Sequence, residues 1–216
     1  MKKTKAHTRY KNSKGKVVPG VTTIISADLG WNKGALVGWA RKMALAGEDP
    51  NKVRDNAADI GTLAHYLIEC HCKGATPDVS EYSPADLELA QNALSAYIAW
   101  EAGIKPDYVA HEIPCVSDKF GFGGTVDMLC RVGGALWLVD FKTCTNIYRE
   151  HVIQVAAYQQ AFVEARGESV QQVHILRVGK DGAFEHHRIP DESLGFGWQV
   201  FCHLLAIHKL AKVLKV

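Results

Sequence analysis

The run Leu136-Trp137-Leu138-Val139-Asp140-Phe141-Lys142-Thr143 carries an aspartate and a lysine into a stretch that otherwise reads as a buried strand. Side chains alternate across a strand. Trp137, Val139, Phe141 and Thr143 therefore share one face, and Leu138, Asp140 and Lys142 share the other. An Asp and a Lys side by side on a core strand are costly to desolvate unless they pair or bind something.

Immediately upstream, Gly123-Gly124-Thr125-Val126-Asp127-Met128-Leu129-Cys130-Arg131-Val132 reads as a second strand, and Gly133-Gly134 as a tight hairpin turn. A hairpin closing symmetrically about the two glycines pairs 132 with 135 and sets Asp127 opposite Asp140. Opposed residues on one face have Cβ atoms roughly 4.5–5.5 Å apart. Two carboxylates that close repel, and one must hold a proton unless a cation lies between them. Such a pair calls for a divalent metal, here with a lysine beside it.

The surrounding chain has 216 residues, enough for one well-cored domain. No apolar run reaches the ~18–20 residues of a membrane span. The basic N-terminus has no apolar stretch behind it and does not read as a secretory signal. The six cysteines form no CxxC pair and read as reduced thiols of a cytoplasmic protein. Net charge is +2, but residues 1–16 hold six Lys, one Arg and no acid, leaving residues 17–216 at −5. A solvated tail and an arm that gains affinity from phosphate contacts both fit a basic arm over residues 1–17. The remainder, 18–216, reads as a single domain.

Tyr10 to Ile25 reads as a short hairpin, with a turn at Ser13-Lys14-Gly15-Lys16 and the β-branched run Val21–Ile25 as its second strand. Helices are expected over about residues 33–46, 51–72, 84–102, 150–165 and 191–214, and strands over about 107–116, 122–132, 135–143, 172–178 and after Gly182. Ile60, Leu63, Ala64, Leu67 and Ile68 stripe the second helix. Leu87, Ala90, Leu94, Tyr97 and Ile98 stripe the third. The core order α-β-β-β-α-β implies an α/β fold with a mixed β-sheet flanked by helices.

Three further places carry polar groups at suggestive spacing. In Gly61-Thr62-Leu63-Ala64-His65-Tyr66-Leu67-Ile68-Glu69, His65 and Glu69 share a helix face, and Gly61 lets a backbone or ligand approach one turn earlier. Taken alone, His65 also fits an ordinary helix histidine. Glu112 sits in a strand with Ala110 and Pro114 on its own face and Ile113 and Cys115 on the other, the pattern of a solvated edge residue. Gln154 and Tyr158 share a helix face, which also fits a polar shoulder on a buried helix.

Together these segments resemble the PD-(D/E)xK nuclease superfamily. The ordered set is Gly61–Glu69, Gly124-Thr125-Val126-Asp127, Asp140-Phe141-Lys142-Thr143 and Gln154–Tyr158. It is similar to the GxxxH, GxxD, DxK and QxxxY motifs of the RecB-type branch. Val18-Pro19-Gly20-Val21-Thr22-Thr23-Ile24-Ile25 and Trp39-Ala40-Arg41 also resemble the mitochondrial genome-maintenance exonuclease and its phage relatives. Val126 stands where the older signature has proline. The resemblance implies a restriction-endonuclease-like core. It implies a metal held by Asp127, Asp140, the Phe141 carbonyl and His65, with Mg²⁺ or Mn²⁺ as the ion. Lys142 is then the residue that orients the attacking water, Glu112 an acid near the metal, and Gln154 and Tyr158 support for the site and the DNA strand, with Glu69 and Thr143 beside them. Some relatives hold an iron–sulfur cluster. Only Cys202 lies beyond residue 144, so none is expected here.

The implied activity is a metal-dependent DNA exonuclease acting on single strands or DNA ends in recombination, repair or replication, plausibly phage-encoded. DNA is its implied partner, with a recombination or single-strand-binding protein as a further one. Trp31, Tyr10 and Tyr148 are aromatics with faces for stacking on bases, and each also fits a simple packing residue. Two other readings stay open: an endonuclease on branched or double-stranded DNA, and a DNA-binding module without catalysis. A buried ion-pair network in an unrelated α/β protein is the plainest alternative.

Overall fold

The computed structural model describes residues 8–214. Residues 1–7 of the expected basic arm and the last two residues of the expected domain lie outside them. The elements are α1 (Val21–Asp28), α2 (Lys33–Leu45), α3 (Pro50–Lys73), α4 (Pro84–Ile104), β1 (Asp107–Ser117), β2 (Phe122–Val132), β3 (Ala135–Lys142), α5 (Arg149–Arg166), β4 (Gln172–Val178), β5 (Phe184–Ile189) and α6 (Asp191–Ala211).

Local chemistry sets most boundaries. Asp49 accepts from the Asn51 N–H and Pro50 opens α3, while Ser83 and Pro84 do the same for α4. Gly74 ends α3 at φ 61°, a left-handed conformation that costs glycine little. Gly133 and Gly134 take φ 57° and 84°, the two positive angles a tight hairpin needs.

The sheet order is β1-β2-β3-β4-β5. Only β3 and β4 run parallel, so α5 is the crossover between them. The β2–β3 register is the expected one, from Val132↔Ala135 to Met128↔Val139. Alternation along β3 divides the core. Leu136 and Leu138 pack with α1, α5 and α6, whereas Trp137, Val139 and Phe141 pack with α3 and α4. The whole predicted α3 stripe is buried. Each such side chain contributes roughly 1.5–3 kcal/mol. On α4 the stripe is shifted: Ala93 and Trp100 are buried and Ile98 is exposed. Among the described residues, no helix is long and apolar enough to cross a membrane.

The expected N-terminal hairpin is only half present. Its turn forms, with Lys11 bridging Val17, but Val21–Ile25 is helix α1 rather than a strand. Propensity differences among ordinary residues reach only ≈ 0.7 kcal/mol each. Val21 and Ile24, three apart, both bury fully on a helix face against the α5–α6 layer, and that burial outweighs the β-branched preference.

Candidate active site

The functional segments meet in a cleft of about 850 Å³ between α3 and α5, at the end of the sheet where β3 finishes. Glycines let the walls close. A Cβ on Gly61 would lie 2.9 Å from Thr143 Oγ1, and one on Gly124 would lie 2.4 Å from the Tyr158 ring. The glycine of the helix motif thus admits the residue after the lysine, and that of the strand motif admits the tyrosine.

Asp127 lies one residue beyond the last paired rung between β2 and β3, Met128↔Val139. Its Oδ2 accepts from the Phe141 N–H at 2.7 Å and stands 3.7 Å from His65 Nδ1. Asp127 thereby caps the β3 ladder with a side chain while facing α3. Asp140 is buried, and its Oδ2 is 2.5 Å from Lys142 Nζ. That contact is a buried ion pair. Burial pushes the Asp140 carboxyl up to about 6, against the pull of Lys142 and with a further push from Asp127. Burial disfavours the Lys142 ammonium, but Asp140 and Asp127 outweigh it and hold its pKa above the ordinary value.

Glu112 departs from the expected edge residue. Its φ is +50°, a left-handed backbone in the middle of β1. Strict alternation breaks there: Ala110 packs against the same core as Ile113 and Cys115, not on the opposite face. The turn carries Glu112 to His65 and Asp127, and one ligand atom from each of the three lies within 4.8 Å of the others. The expected metal set paired His65 and Asp127 with Asp140 and the Phe141 carbonyl. The structure gathers His65 and Asp127 with Glu112, and Asp140 is buried in a pair with Lys142. Two carboxylates and an imidazole, beside the Asp140–Lys142 pair, are a donor set that fits a divalent cation.

Gln154 Nε2 donates to Tyr158 Oη at 2.8 Å, and both side chains line the cleft with Thr143. Glu69, one turn beyond His65, holds Lys73 Nζ at 2.6 Å. One cleft group, His151, escaped the sequence reading. His151 lies three residues before Gln154 on the same face, a signal that spacing does contain. Burial and the nearby Lys142 push it down to about 3, so it is neutral. Its Nδ1 accepts from the Tyr148 N–H at 3.2 Å, which leaves its proton on Nε2. Tyr10, outside the cleft lining, packs on Gly123 and bonds the cleft residue Thr125 at Oγ1, 3.0 Å away, which makes it a packing residue and not a free face for a base.

A model of the PD-(D/E)XK nuclease superfamily matches residues 39–200. The chain belongs to the PD-(D/E)XK nuclease superfamily. Its mixed five-stranded sheet with flanking helices is the restriction-endonuclease-like fold of that superfamily. No curated protein matches the chain. Among solved structures, it is similar to a candidate exonuclease from Eubacterium rectale at 15% identity and TM-score 0.49, covering 68% of this chain. The chain spans 64% of that protein's length. An alkaline exonuclease from Laribacter hongkongensis matches at 15% identity and TM-score 0.37, over 69% of this chain and 78% of that one. The same enzyme in complex with dAMP matches at 15% identity and TM-score 0.38, over 74% and 92%.

Proposed function

We propose that this PD-(D/E)XK nuclease is a metal-dependent DNA exonuclease of the RecB type, hydrolysing phosphodiester bonds at single strands or DNA ends. The observation that carries this reading is a lysine ammonium, paired to a buried aspartate, lining a cleft where His65, Glu112 and Asp127 converge. A phosphodiester is an anion that repels hydroxide. A bound Mg²⁺ or Mn²⁺ supplies a more acidic water and neutralises the non-bridging oxygens. Asp127, Glu112 and His65 would hold it, with Asp140 completing the carboxylate row.

The chain's own residues do the rest. Lys142 orients the attacking water and offers a compact cation where negative charge grows. Its raised pKa keeps it charged at neutral pH. Neutral His151 offers Nε2–H to a phosphate oxygen, and the Gln154–Tyr158 pair supports that wall. The expected Glu69 and Thr143 contribute position: Thr143 packs on Gly61, and Glu69 anchors Lys73 on α3.

Digestion of linear and covalently closed circular single-stranded DNA with Mg²⁺ or Mn²⁺ tests the reading. Exonuclease action shortens the linear strand and spares the circle. Cleavage of the circle would replace it with an endonuclease, and binding without cleavage under either metal would favour a DNA-binding module.

A further inference from the structure

Large aromatic side chains on a surface are informative when they gather in one place. Trp31 and Tyr148 are 54% and 40% exposed, and both line a recess of about 490 Å³ with Asn32, Arg149 and Glu150. Trp31 lies in the short connection between α1 and α2. Tyr148 is the residue before α5.

Two ties hold the recess in shape. Asn32 Nδ2 donates to Glu150 Oε1, joining segments more than a hundred residues apart in sequence. Asp28, at the end of α1, pairs with His208 of α6 at 2.8 Å. A preformed site loses little entropy when it is filled. The recess also abuts the candidate active site. The Tyr148 ring meets the His151 ring edge-on at 5.5 Å, and His151 lines the catalytic cleft.

We propose that the recess between Trp31 and Tyr148 is a stacking site for an unpaired nucleobase flanking the phosphodiester held in the cleft. This rests on the nuclease reading above. Indole and phenol offer flat apolar faces that every base matches, so stacking there is tolerant of sequence. Arg149, at the first position of α5, supplies a cation for the adjoining phosphate. Asn32 and Glu150 give the rim polar atoms for a base edge. A duplex end must then fray before its base can enter, which makes the recess a reader of single-stranded character.

The test is binding of a fluorescein-labelled single-stranded oligothymidylate, and of the same strand with abasic residues, in EDTA, where no cleavage occurs. The proteins are wild type, Trp31→Ala, Tyr148→Ala and Trp31→Phe. Each alanine variant is expected to weaken binding of the base-bearing strand by roughly 5- to 150-fold. The abasic strand is expected to bind wild type and variants alike, and Trp31→Phe to recover most of the loss. Variants that bind the base-bearing strand as wild type does, while wild type still digests DNA, would overturn the stacking site and leave the nuclease standing. A wild type that neither binds nor digests any DNA would overturn both.

Discussion

Asp140 and Lys142 occupy the strand that first marked this chain, and their chemistry separates a working site from a structural ion pair. A buried pair kept for stability loses about 3–5 kcal/mol when one partner is removed. Here burial raises Asp140 to about 6, so the folded state already bears a cost in ionising it. That cost is absent below the ordinary carboxylate pKa and is fully present above about 6. Lys142 also keeps Asp127 as a neighbouring negative charge. Asp140→Asn is therefore expected to unfold in urea at pH 8 within about 1 kcal/mol of wild type, while losing nuclease activity. A loss of several kcal/mol in that titration would mark the pair as structural.

Strand β1 shows what an element does that its residues do not announce. Glu112 is a non-glycine residue at φ +50°, a conformation that costs about 1–2 kcal/mol for a residue with a Cβ. The strain switches the faces of β1 and delivers a carboxylate to His65 and Asp127. Glu112→Gly and Glu112→Ala both remove that carboxylate, but only glycine relieves the backbone. Glu112→Gly is expected to melt a few degrees above Glu112→Ala by calorimetry, and both should lose tight Mn²⁺ binding.

Strands β4 and β5 make a second element-scale prediction. His186 Nδ1 accepts from Trp100 Nε1 at 3.3 Å. This orders the next two links, His186 to His174 at 2.8 Å and His174 to Gln172 at 3.0 Å, with both imidazoles neutral. Burial and then His186 push His174 down to about 3. A folded pKa below the unfolded one means that the unfolded chain binds the extra proton, so this contribution to stability falls as pH drops from about 6.5 towards 3. Urea midpoints across that range should fall with a slope that His174→Gln reduces by about one proton, or about 1.4 kcal/mol per pH unit.

At the scale of the whole molecule, the sheet and its motif-bearing helices were legible because their signals are local. The α3 stripe, the glycine hairpin and the charged strand each repeat at the period of their element. Helix α1 was not legible, because its β-branched residues follow a tertiary surface instead of their own preference. Ile98 was misplaced because α4 presents Trp100 to the core instead. Glu112 could be named but not aimed, since a left-handed turn at glutamate leaves no mark in sequence. Tyr10 meets Thr125 across 115 positions, a contact no spacing rule reaches.

The central claim is that this fold assembles a metal-dependent phosphodiesterase around Lys142. Its most direct test is the rate of release from end-labelled single-stranded DNA in Mg²⁺, Mn²⁺ and EDTA, with wild type and Lys142→Ala compared at equal foldedness. The account predicts metal-dependent release by wild type, none in EDTA, and a fall of about 10²–10³-fold in the variant. Release that persists in EDTA, or an unchanged rate in Lys142→Ala, would contradict it.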